Sequence, residues 1–184
     1  YEEEKEVRIV AGKYRGRVLA SFRGDDVRPT SDRVKESLFQ ILGAKLVGAR
    51  VLDLFCGSGA LGLESLSRGA REAVFNAVSR DSLAICKKNL AALGVVAPVT
   101  CLDYRACLSR TAGKFGVVFA DPPYKMDCAG EILSLIAARG LLEEDGAVVY
   151  ESEREENAPA GWERYDLRNY GRTKIAFFRQ VQGE

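Results

Sequence analysis

The chain has 184 residues, 47% of them hydrophobic, and its 27 Lys and Arg nearly balance its 26 Asp and Glu. Such a chain is expected to fold as one compact domain that buries about 70% of its unfolded surface. Its apolar stretches are shorter than the roughly 18 residues that span a bilayer, and no signal peptide opens it, so we expect a cytoplasmic protein without a membrane segment.

Cysteine and histidine usage narrows the possible chemistry. The chain contains no histidine and no Cys-x-x-Cys pair, which excludes a histidine base and argues against a zinc site. An odd number of cysteines predicts reduced, buried thiols at all five positions, which are Cys56, Cys86, Cys101, Cys107 and Cys128.

The net charge of +1 hides a basic segment near the start of the chain. Residues 8–35 contain eight Lys or Arg and three Asp, whereas residues 1–6 contain four Glu and one Lys. A local basic segment on a domain of this size indicates a polyanionic partner such as nucleic acid. A solvated hairpin without a partner is the structural alternative.

The basic segment is predicted to contain a hairpin and a helix. Two short apolar stretches, 7–10 and 18–20, flank the connection 12–17, Gly-Lys-Tyr-Arg-Gly-Arg, which predicts a β-hairpin with a basic connection. A helix is expected to begin near Ser31 or Asp32 and to end at Gly43. Its apolar face contains four residues in helical spacing, Val34, Leu38, Ile41 and Leu42.

From Arg50 onward the pattern alternates between strands and helices. Helices are predicted at 59–68, 80–93, 104–112 and 128–139, and strands at 51–55, 72–78, 98–102, 116–120, 147–151, 162–168 and 174–179. Asp145-Gly146 predicts a turn before the strand at 147–151. Alternating β and α units require a mainly parallel sheet with right-handed crossovers, and the last two strands are expected to pair around residues 169–171.

A glycine-containing loop follows the first strand of this alternating region. Asp53-Leu-Phe-Cys-Gly-Ser-Gly59 allows a tight turn and a close approach of the backbone to a ligand. Residues 57–62 also match G-x-G-x-x-G, a pattern typical of nicotinamide or flavin sites. Asp53 favours S-adenosylmethionine instead, because a carboxylate suits the methionine ammonium and opposes a pyrophosphate. A glycine turn that only packs a helix on a strand is the remaining alternative.

A second polar motif follows the apolar strand at 116–120. Asp121-Pro122-Pro123-Tyr124 is a stiff turn, because two prolines fix the backbone and supply no N–H. It presents one carboxylate, adjacent carbonyls and one aromatic face at the carboxyl edge of the sheet, where open α/β sheets bind ligands. A simple surface turn is the alternative.

These motifs together resemble a known group of enzymes. The glycine loop followed by Asp-Pro-Pro-Tyr is similar to the amino-group methyltransferases that use S-adenosylmethionine. More narrowly, residues 8–17 (RIVAGKYRGR) and 28–39 (RPTSDRVKESLF) resemble the RsmD family, which methylates N2 of one guanine in 16S ribosomal RNA. The resemblance covers nearly everything from Val7 to Phe178.

The resemblance implies an α/β fold of the Rossmann-like class I methyltransferase type. Its sheet would be mainly parallel and seven-stranded, with a C-terminal antiparallel hairpin. Residues 1–49 would form a basic hairpin and helix extension, and residues 50–184 the methyltransferase core, together one compact domain. The implied partner is 16S ribosomal RNA or the small ribosomal subunit, and the implied enzyme is a monomer that uses no metal and no membrane.

The resemblance also implies roles for individual residues. S-adenosylmethionine would be held by Thr30, Asp53, Phe55, Gly57, Ser58, Gly59, Asp103 and Tyr104, with Asp103 meeting the adenine amino group. The implied catalytic residues are Asp121, Pro122, Pro123 and Tyr124. RNA contacts would fall to Arg8, Lys13, Arg15, Arg17 and Arg28.

One cofactor position departs from the family pattern. The second strand of the family normally ends in an acidic residue that binds both ribose hydroxyls, and this position is Ala77 here. Asn76 is expected to point to the opposite face of the strand, so it does not replace the missing acceptor. We therefore predict weak cofactor affinity.

The expected reaction follows from the chemistry of the guanine amine. Its lone pair is delocalised into the ring, so acceptors such as Asp121 and the Pro122 carbonyl would hold the amine while Tyr124 stacks on the base. Alternatives are an adenine-N6 methyltransferase acting on DNA or RNA, and a protein-glutamine methyltransferase. A non-catalytic RNA-binding protein on the same scaffold is the alternative that Ala77 favours.

Overall fold

A computed structural model describes residues 6–22 and 30–182 of the chain. In the N-terminal part, strand β1 (Val7–Arg8) pairs antiparallel with β2 (Val18–Leu19), which confirms the predicted hairpin. Helix α1 (Asp32–Leu42) begins where the sequence predicts, because the Ser31 hydroxyl accepts a hydrogen bond from the Val34 N–H at 3.3 Å. None of the described helices has both the length and the apolarity needed to cross a membrane.

The rest of the described chain builds one seven-stranded sheet with helices on both faces. In chain order the strands are β3 (Arg50–Asp53), β4 (Glu72–Ala77), β5 (Val99–Cys101), β6 (Phe115–Ala120), β7 (Leu142–Ser152), β8 (Trp162–Tyr170) and β9 (Thr173–Gln180). The helices are α2 (Ala60–Ser67), α3 (Arg80–Leu93), α4 (Tyr104–Arg110) and α5 (Ala129–Arg139), and a short 3-10 helix spans Gly43–Lys45.

Strand order across the sheet is β5-β4-β3-β6-β7-β9-β8. The first five strands pair in parallel, and β9 pairs antiparallel with both β7 and β8. The prediction of a mainly parallel seven-stranded sheet that closes with an antiparallel hairpin is therefore confirmed.

Two apolar cores lie on opposite faces of the sheet. Alternation along the strands separates them, since Val51 belongs to one core and Leu52 to the other. The first core includes residues of the N-terminal hairpin, α1, α2 and α3, whereas the second includes residues of α4 and α5. Helices thus cover both faces of the sheet, with α1, α2 and α3 on one face and α4 and α5 on the other.

The predicted start of β7 was wrong, and strand pairing explains the difference. Asp145-Gly146 does not form a turn before a new strand, because both residues lie inside β7. The register runs from Phe115 opposite Leu142 to Val117 opposite Ala147, so a bulge absorbs three extra residues of β7. The other boundaries agree with the predicted ones to within two residues.

The cysteine prediction was right for four of the five positions. All five thiols are free, and Cys56, Cys86, Cys107 and Cys128 are buried, but Cys101 is exposed. Cys101 ends β5, which is the edge strand of the sheet, so one side of this residue faces solvent.

Candidate functional site

The two predicted motifs meet at the carboxyl ends of the central strands. Strands β3 and β6 are parallel neighbours, with Asp53 opposite Phe119, so Asp53 and Asp121 both emerge at the same edge. The chain continues from β3 into α2 on one face and from β6 into α5 on the other. Such a switch point opens a crevice where α/β sheets bind their ligands.

Each of the three glycines in the motif at this crevice has a structural role. Gly57 and Gly59 have φ angles of +52° and +86°, which L side chains rarely adopt. A Cβ on Gly62 would come within 2.3 Å of the Phe75 ring, so this third glycine allows α2 to pack on β4. The third glycine of the motif is therefore explained by helix packing. The first two are explained by the left-handed turn, and a Cβ on Gly59 would also crowd the Cys86 Sγ at 3.0 Å.

Asn89 fixes the glycine loop, a role that the sequence did not predict. Its side-chain Nδ2 donates to the Ser58 carbonyl at 2.8 Å and to the Ala20 carbonyl at 2.9 Å. Its Oδ1 accepts from the Ala20 N–H at 2.7 Å. One buried amide thus joins the loop to the segment that follows the N-terminal hairpin.

Asp53 lies beneath this loop and is only 2% exposed. Its Oδ2 accepts a hydrogen bond from the Gly62 N–H at 3.1 Å, and this N–H belongs to the first turn of α2, where it has no intrahelical partner. Burial raises the pKa of Asp53 to about 7, and the bond from Gly62 opposes that shift. The carboxylate therefore caps α2 and still favours a cationic neighbour.

The turn 121–124 forms the opposite wall of the crevice. Asp121 and Tyr124 are exposed, Pro122 is buried, and the turn closes with a hydrogen bond from the Met126 N–H to the Pro123 carbonyl at 2.9 Å. Asp121 is exposed as a residue, but burial of its carboxyl group raises its pKa well above the usual range, and the carboxylates of Glu151 and Asp53 raise it further. Tyr124 is 70% exposed, so its ring is free to stack on a flat ligand.

Glu151 is a site residue that sequence reasoning missed. It lies near the end of β7, directly after Tyr150, which pairs with Ala120 of β6. Burial raises the pKa of Glu151 to about 7, while the Thr30 side chain lowers it. The only available signal was its position, since a carboxylate at the end of the next parallel strand points to the same edge.

The predicted adenine-binding residues lie at the start of α4. Asp103 is exposed and caps this helix by accepting from the Arg105 N–H at 2.9 Å. Tyr104 is 3% exposed and its hydroxyl donates to Glu131 at 2.6 Å, while its ring lies 5.7 Å from that of Phe55. Arg105 also pairs with Glu131, so a network unseen in the sequence holds Asp103 and Tyr104 in place.

Ala77 supplies no acceptor at the predicted ribose position, and its neighbours do not replace it. Its side chain is 0% exposed and belongs to the core on the α3 side. The Asn76 side chain points to the other face of the strand. Its amide donates to the Leu54 and Leu102 carbonyls and accepts from the Thr100 hydroxyl. The Ser79 hydroxyl caps α3 by accepting from the Ser82 N–H at 3.2 Å.

Four of the five predicted RNA-binding residues are exposed on or beside the hairpin, namely Arg8, Lys13, Arg15 and Arg17. The guanidinium of Arg8 pairs with Asp32 at 3.0 Å, and that of Arg17 donates to the Ala92 carbonyl at 2.8 Å. Arg28 lies outside the described residues, as does Pro29, and Thr30 is half-buried. Within residues 6–22 and 30–182, no group of three or more His, Cys, Asp or Glu is arranged to hold a metal ion.

Comparison with known sequences identifies the family. The family model described as "Conserved hypothetical protein 95" matches residues 7–179. The ribosomal RNA small subunit methyltransferase D of Escherichia coli K12 is 35% identical over 184 residues, which cover 97% of this chain and 93% of that protein. The protein of the same name from Haemophilus influenzae is 35% identical over 165 residues, which cover 85% of each chain.

Comparison with solved structures agrees with this result. The structure of yhhF from Escherichia coli has a TM-score of 0.85 and 34% sequence identity, and covers 96% of this chain and 99% of that one. The predicted Rossmann-like class I methyltransferase fold is thereby confirmed. The chain belongs to the RsmD family of methyltransferases, the family that its N-terminal motifs resemble.

Proposed function

We propose that this protein transfers the methyl group of S-adenosylmethionine to the exocyclic N2 amine of a guanine in 16S ribosomal RNA. The observation that carries the proposal is the meeting of the glycine loop and the turn 121–124 at one crevice, with three carboxyl groups beside it. The printed names of the relatives, which are ribosomal RNA small subunit methyltransferases, support the RNA substrate. The N2 specificity rests on the motif resemblance.

The residues at the crevice fit this methyl donor in all but one respect. Asp53 and Asp121 both have raised pKa values, so a ligand with an ammonium and a sulfonium group suits them electrostatically. Among the described residues only the Phe22 ring, at 3.7 Å, would lie within 4 Å of a Cβ on Gly57, so the loop has room there, and Asp103 has an exposed carboxylate for an adenine amine. Ala77 is the misfit, because the ribose hydroxyls would find no acceptor there.

The remaining predicted residues would also take part in binding S-adenosylmethionine. Phe55, Ser58 and Tyr104 would line the donor site, and Thr30 would lie at its rim. When bound, S-adenosylmethionine supplies an activated methyl group on a cationic sulfur. The chain itself then has to orient the acceptor amine and exclude competing water.

The turn 121–124 would orient the guanine. Asp121 and the Pro122 carbonyl accept hydrogen bonds from the two N–H groups of the amine, which draws the nitrogen lone pair toward the methyl group. The exposed Tyr124 ring stacks on the base, and Pro123 keeps the turn rigid. The target base has to be unpaired or flipped to reach this pocket, at a cost of a few kcal/mol.

The basic hairpin would bind the RNA backbone close to this site. Lys13 and Arg15 are exposed at its tip, and the hairpin is joined to the glycine loop through Asn89. We propose 16S ribosomal RNA or the small subunit as its partner, and a cytoplasmic, monomeric enzyme that needs no metal.

One assay tests the proposed function directly. The protein is incubated with labelled S-adenosylmethionine and with RNA or small subunits from cells that lack the enzyme, and the modified nucleotide is mapped. Label on guanine N2 of 16S RNA is expected. Label on adenine N6 would replace our proposal with the adenine-methyltransferase alternative.

Ala77 favours a second candidate, a non-catalytic RNA-binding protein on the same scaffold. Calorimetry with S-adenosylmethionine separates the two functions, because the enzyme has to bind the donor. Measurable binding together with methyl transfer supports the enzyme, whereas RNA binding without any donor binding supports the second candidate.

A further inference from the structure

The carboxyl edge contains an acidic residue that the proposed mechanism does not use. Strands β6 and β7 run in parallel, and Ala120 pairs with Tyr150. The next residue along each chain segment is acidic, so Asp121, directly after β6, and Glu151, near the end of β7, lie side by side at the same edge. Parallel neighbours are about 5 Å apart, which keeps the two carboxyl groups within direct electrostatic reach.

The Glu151 carboxylate raises the pKa of Asp121 in the described structure. After burial, the Glu151 carboxylate is the largest cause that raises the pKa of Asp121, and the Asp53 carboxylate follows. Burial raises the pKa of Glu151 to about 7, and the Thr30 side chain opposes this shift. Two neighbouring carboxyls of this kind bind their first proton far more tightly than an isolated one.

Charged groups on the surrounding elements are engaged with other partners. Strand β9 brings Lys174 opposite Ser152, but the Lys174 ammonium donates to Asn169 at 2.9 Å. After β7, Arg154 pairs with Asp127 at 2.9 Å. At the start of α1, Asp32 pairs with Arg8 at 3.0 Å, and Arg23 and Arg28 lie outside the described residues. Among the described residues, Asp53 on β3 is the remaining charged group that raises the pKa of Asp121.

We propose that Glu151 is a positioning residue that acts through Asp121, and that the two carboxyl groups together take up the proton released by the target amine. This inference rests on the proposed function. The N2 lone pair forms a bond to the methyl carbon while the carbon–sulfur bond breaks, so the sulfonium becomes a neutral thioether. The nitrogen then carries a positive charge and loses one proton to Asp121, with Glu151 holding that proton in place.

A second carboxyl group makes chemical sense at this position. An isolated Asp has a pKa near 3.9 and is a weak base, whereas a general base works best when its pKa is close to the operating pH. The negative charge of Glu151 makes Asp121 more basic without contacting the substrate. Carboxylate pairs that share one proton serve this purpose in other enzymes.

The test compares single-turnover methyl transfer across pH 5 to 9 in the wild type, Glu151→Gln and Glu151→Asp. In the wild type, the rate is expected to fall at acidic pH as the pair becomes protonated. Without the charge of Glu151 the pKa of Asp121 drops, so this acidic limb should move about one unit toward lower pH in Glu151→Gln. The plateau rate should fall about tenfold because a less basic Asp121 is a weaker hydrogen-bond acceptor for the amine during methyl transfer, with little change in KM for either substrate.

Two further variants make the result specific. Glu151→Asp keeps the charge and should restore the wild-type limb, whereas Glu153→Gln removes an exposed carboxylate two residues away and should match the wild type. If Glu151→Gln proves unfolded, Glu151→Ser removes the charge while leaving room for water, and the same shift is expected.

The outcomes separate this inference from the proposed function. A wild-type protein that transfers no methyl group at any pH would reject the function itself. An active wild type without an acidic limb, or a Glu151→Gln profile that superimposes on it, would overturn only the role of Glu151.

Discussion

Two clusters of charged side chains in this protein differ in how their charges are balanced. The first, which we call the hairpin anchor, contains Lys35, Glu64 and Arg68 beneath the N-terminal hairpin. Glu64 is 0% exposed, accepts from the Val10 N–H at 2.9 Å and lies 3.5 Å from the Arg68 guanidinium. Lys35 is 1% exposed, and its ammonium donates to the Arg8 carbonyl at 2.6 Å. Every charge in the anchor has an opposite charge or a backbone dipole beside it.

The second cluster, the carboxyl edge, contains Asp53, Asp121 and Glu151. All three groups are acidic, and the pKa of each is raised. Folding raises the pKa of Asp53 from 3.8 to about 7, so between these values the native state binds more protons than the unfolded state. The free energy of unfolding contributed by Asp53 therefore falls as pH rises from about 4 to 7. Burial also raises the pKa of Glu64 and lowers that of Lys35, but in the anchor opposite charges lie beside these groups and oppose both shifts. The edge has only carboxyl groups, so it favours a cationic ligand.

Replacing Asp121 with Asn should have the largest effect on activity and almost none on folding. We expect methyl transfer to fall by about a thousandfold or more, because the amine loses its charged acceptor. Donor binding should persist, and the free energy of unfolding should stay equal or rise because carboxylate repulsion is removed. Labelled methyl transfer, calorimetry and urea unfolding measure the three quantities.

Asp145→Asn is the control for Asp121→Asn, because Asp145 is exposed in the bulge of β7 at the far end of that strand. This variant should behave like the wild type. Undiminished turnover by Asp121→Asn would reject the assignment of the carboxyl edge as the reaction site.

Replacing Glu64 with Gln should lower stability and leave methyl transfer by the folded protein intact, which is the opposite of the effect expected for Asp121→Asn. Breaking a buried ion pair typically costs about 3 to 5 kcal/mol, and Glu64→Gln leaves the Arg68 and Lys35 charges without their buried carboxylate. We expect about 3 kcal/mol lower stability in urea unfolding. Any loss of methyl transfer should disappear at temperatures where the variant is fully folded.

Glu72→Gln is the matched control for the hairpin anchor. Glu72 pairs with Arg50 at 3.3 Å, but its side chain is 42% exposed, so water screens the pair. A loss below about 1 kcal/mol is expected. Equal losses for Glu64→Gln and Glu72→Gln would contradict the view that burial makes the anchor important.

Most of the fold was predictable because its periodic patterns are strong. Helix α3 was predicted at its observed limits, since Ser79 and Gly94 are clear signals for its two ends. The β7 bulge was not predictable, because Asp145-Gly146 has the chemistry of a turn and only pairing with β6 keeps it in the strand.

The candidate site was predictable where motifs are contiguous in sequence and unpredictable where it is built from distant residues. The glycine loop and the turn 121–124 each form one short motif. In contrast, Asn89 meets Ser58 across 31 residues, and Glu151 meets Asp121 only through strand pairing. A buried amide or a strand-end carboxylate has no local signature, so only the three-dimensional structure reveals these partners.

Replacing Ala77 with Glu should add a hydrogen-bond acceptor at the end of β4, where the ribose is expected to bind. A hydrogen bond to a charged group contributes about 1.5 to 3 kcal/mol, which corresponds to roughly ten- to a hundredfold tighter donor binding. Ala77→Gln has the same length without the charge and should gain less. Because Ala77 is fully buried, calorimetry should be paired with a thermal unfolding scan. Unchanged donor affinity in a folded Ala77→Glu protein would refute the ribose assignment.

Removing Arg15 and Arg17 should have the smallest effect, because exposed charges act on RNA through screened interactions. Each lost phosphate contact lowers the slope of log K against log salt by about 0.7 to 0.9, so the double variant Arg15→Ser, Arg17→Ser should flatten it by about 1.4 to 1.8. Arg71→Ser with Lys114→Ser removes the same charge from the opposite edge, before β4 and β6, and should leave the slope unchanged. Filter binding at several salt concentrations measures both slopes. Equal slopes in the two double variants would mean that the hairpin is not the RNA-binding element, whereas a selective change would separate RNA binding by the hairpin from its anchoring by Glu64.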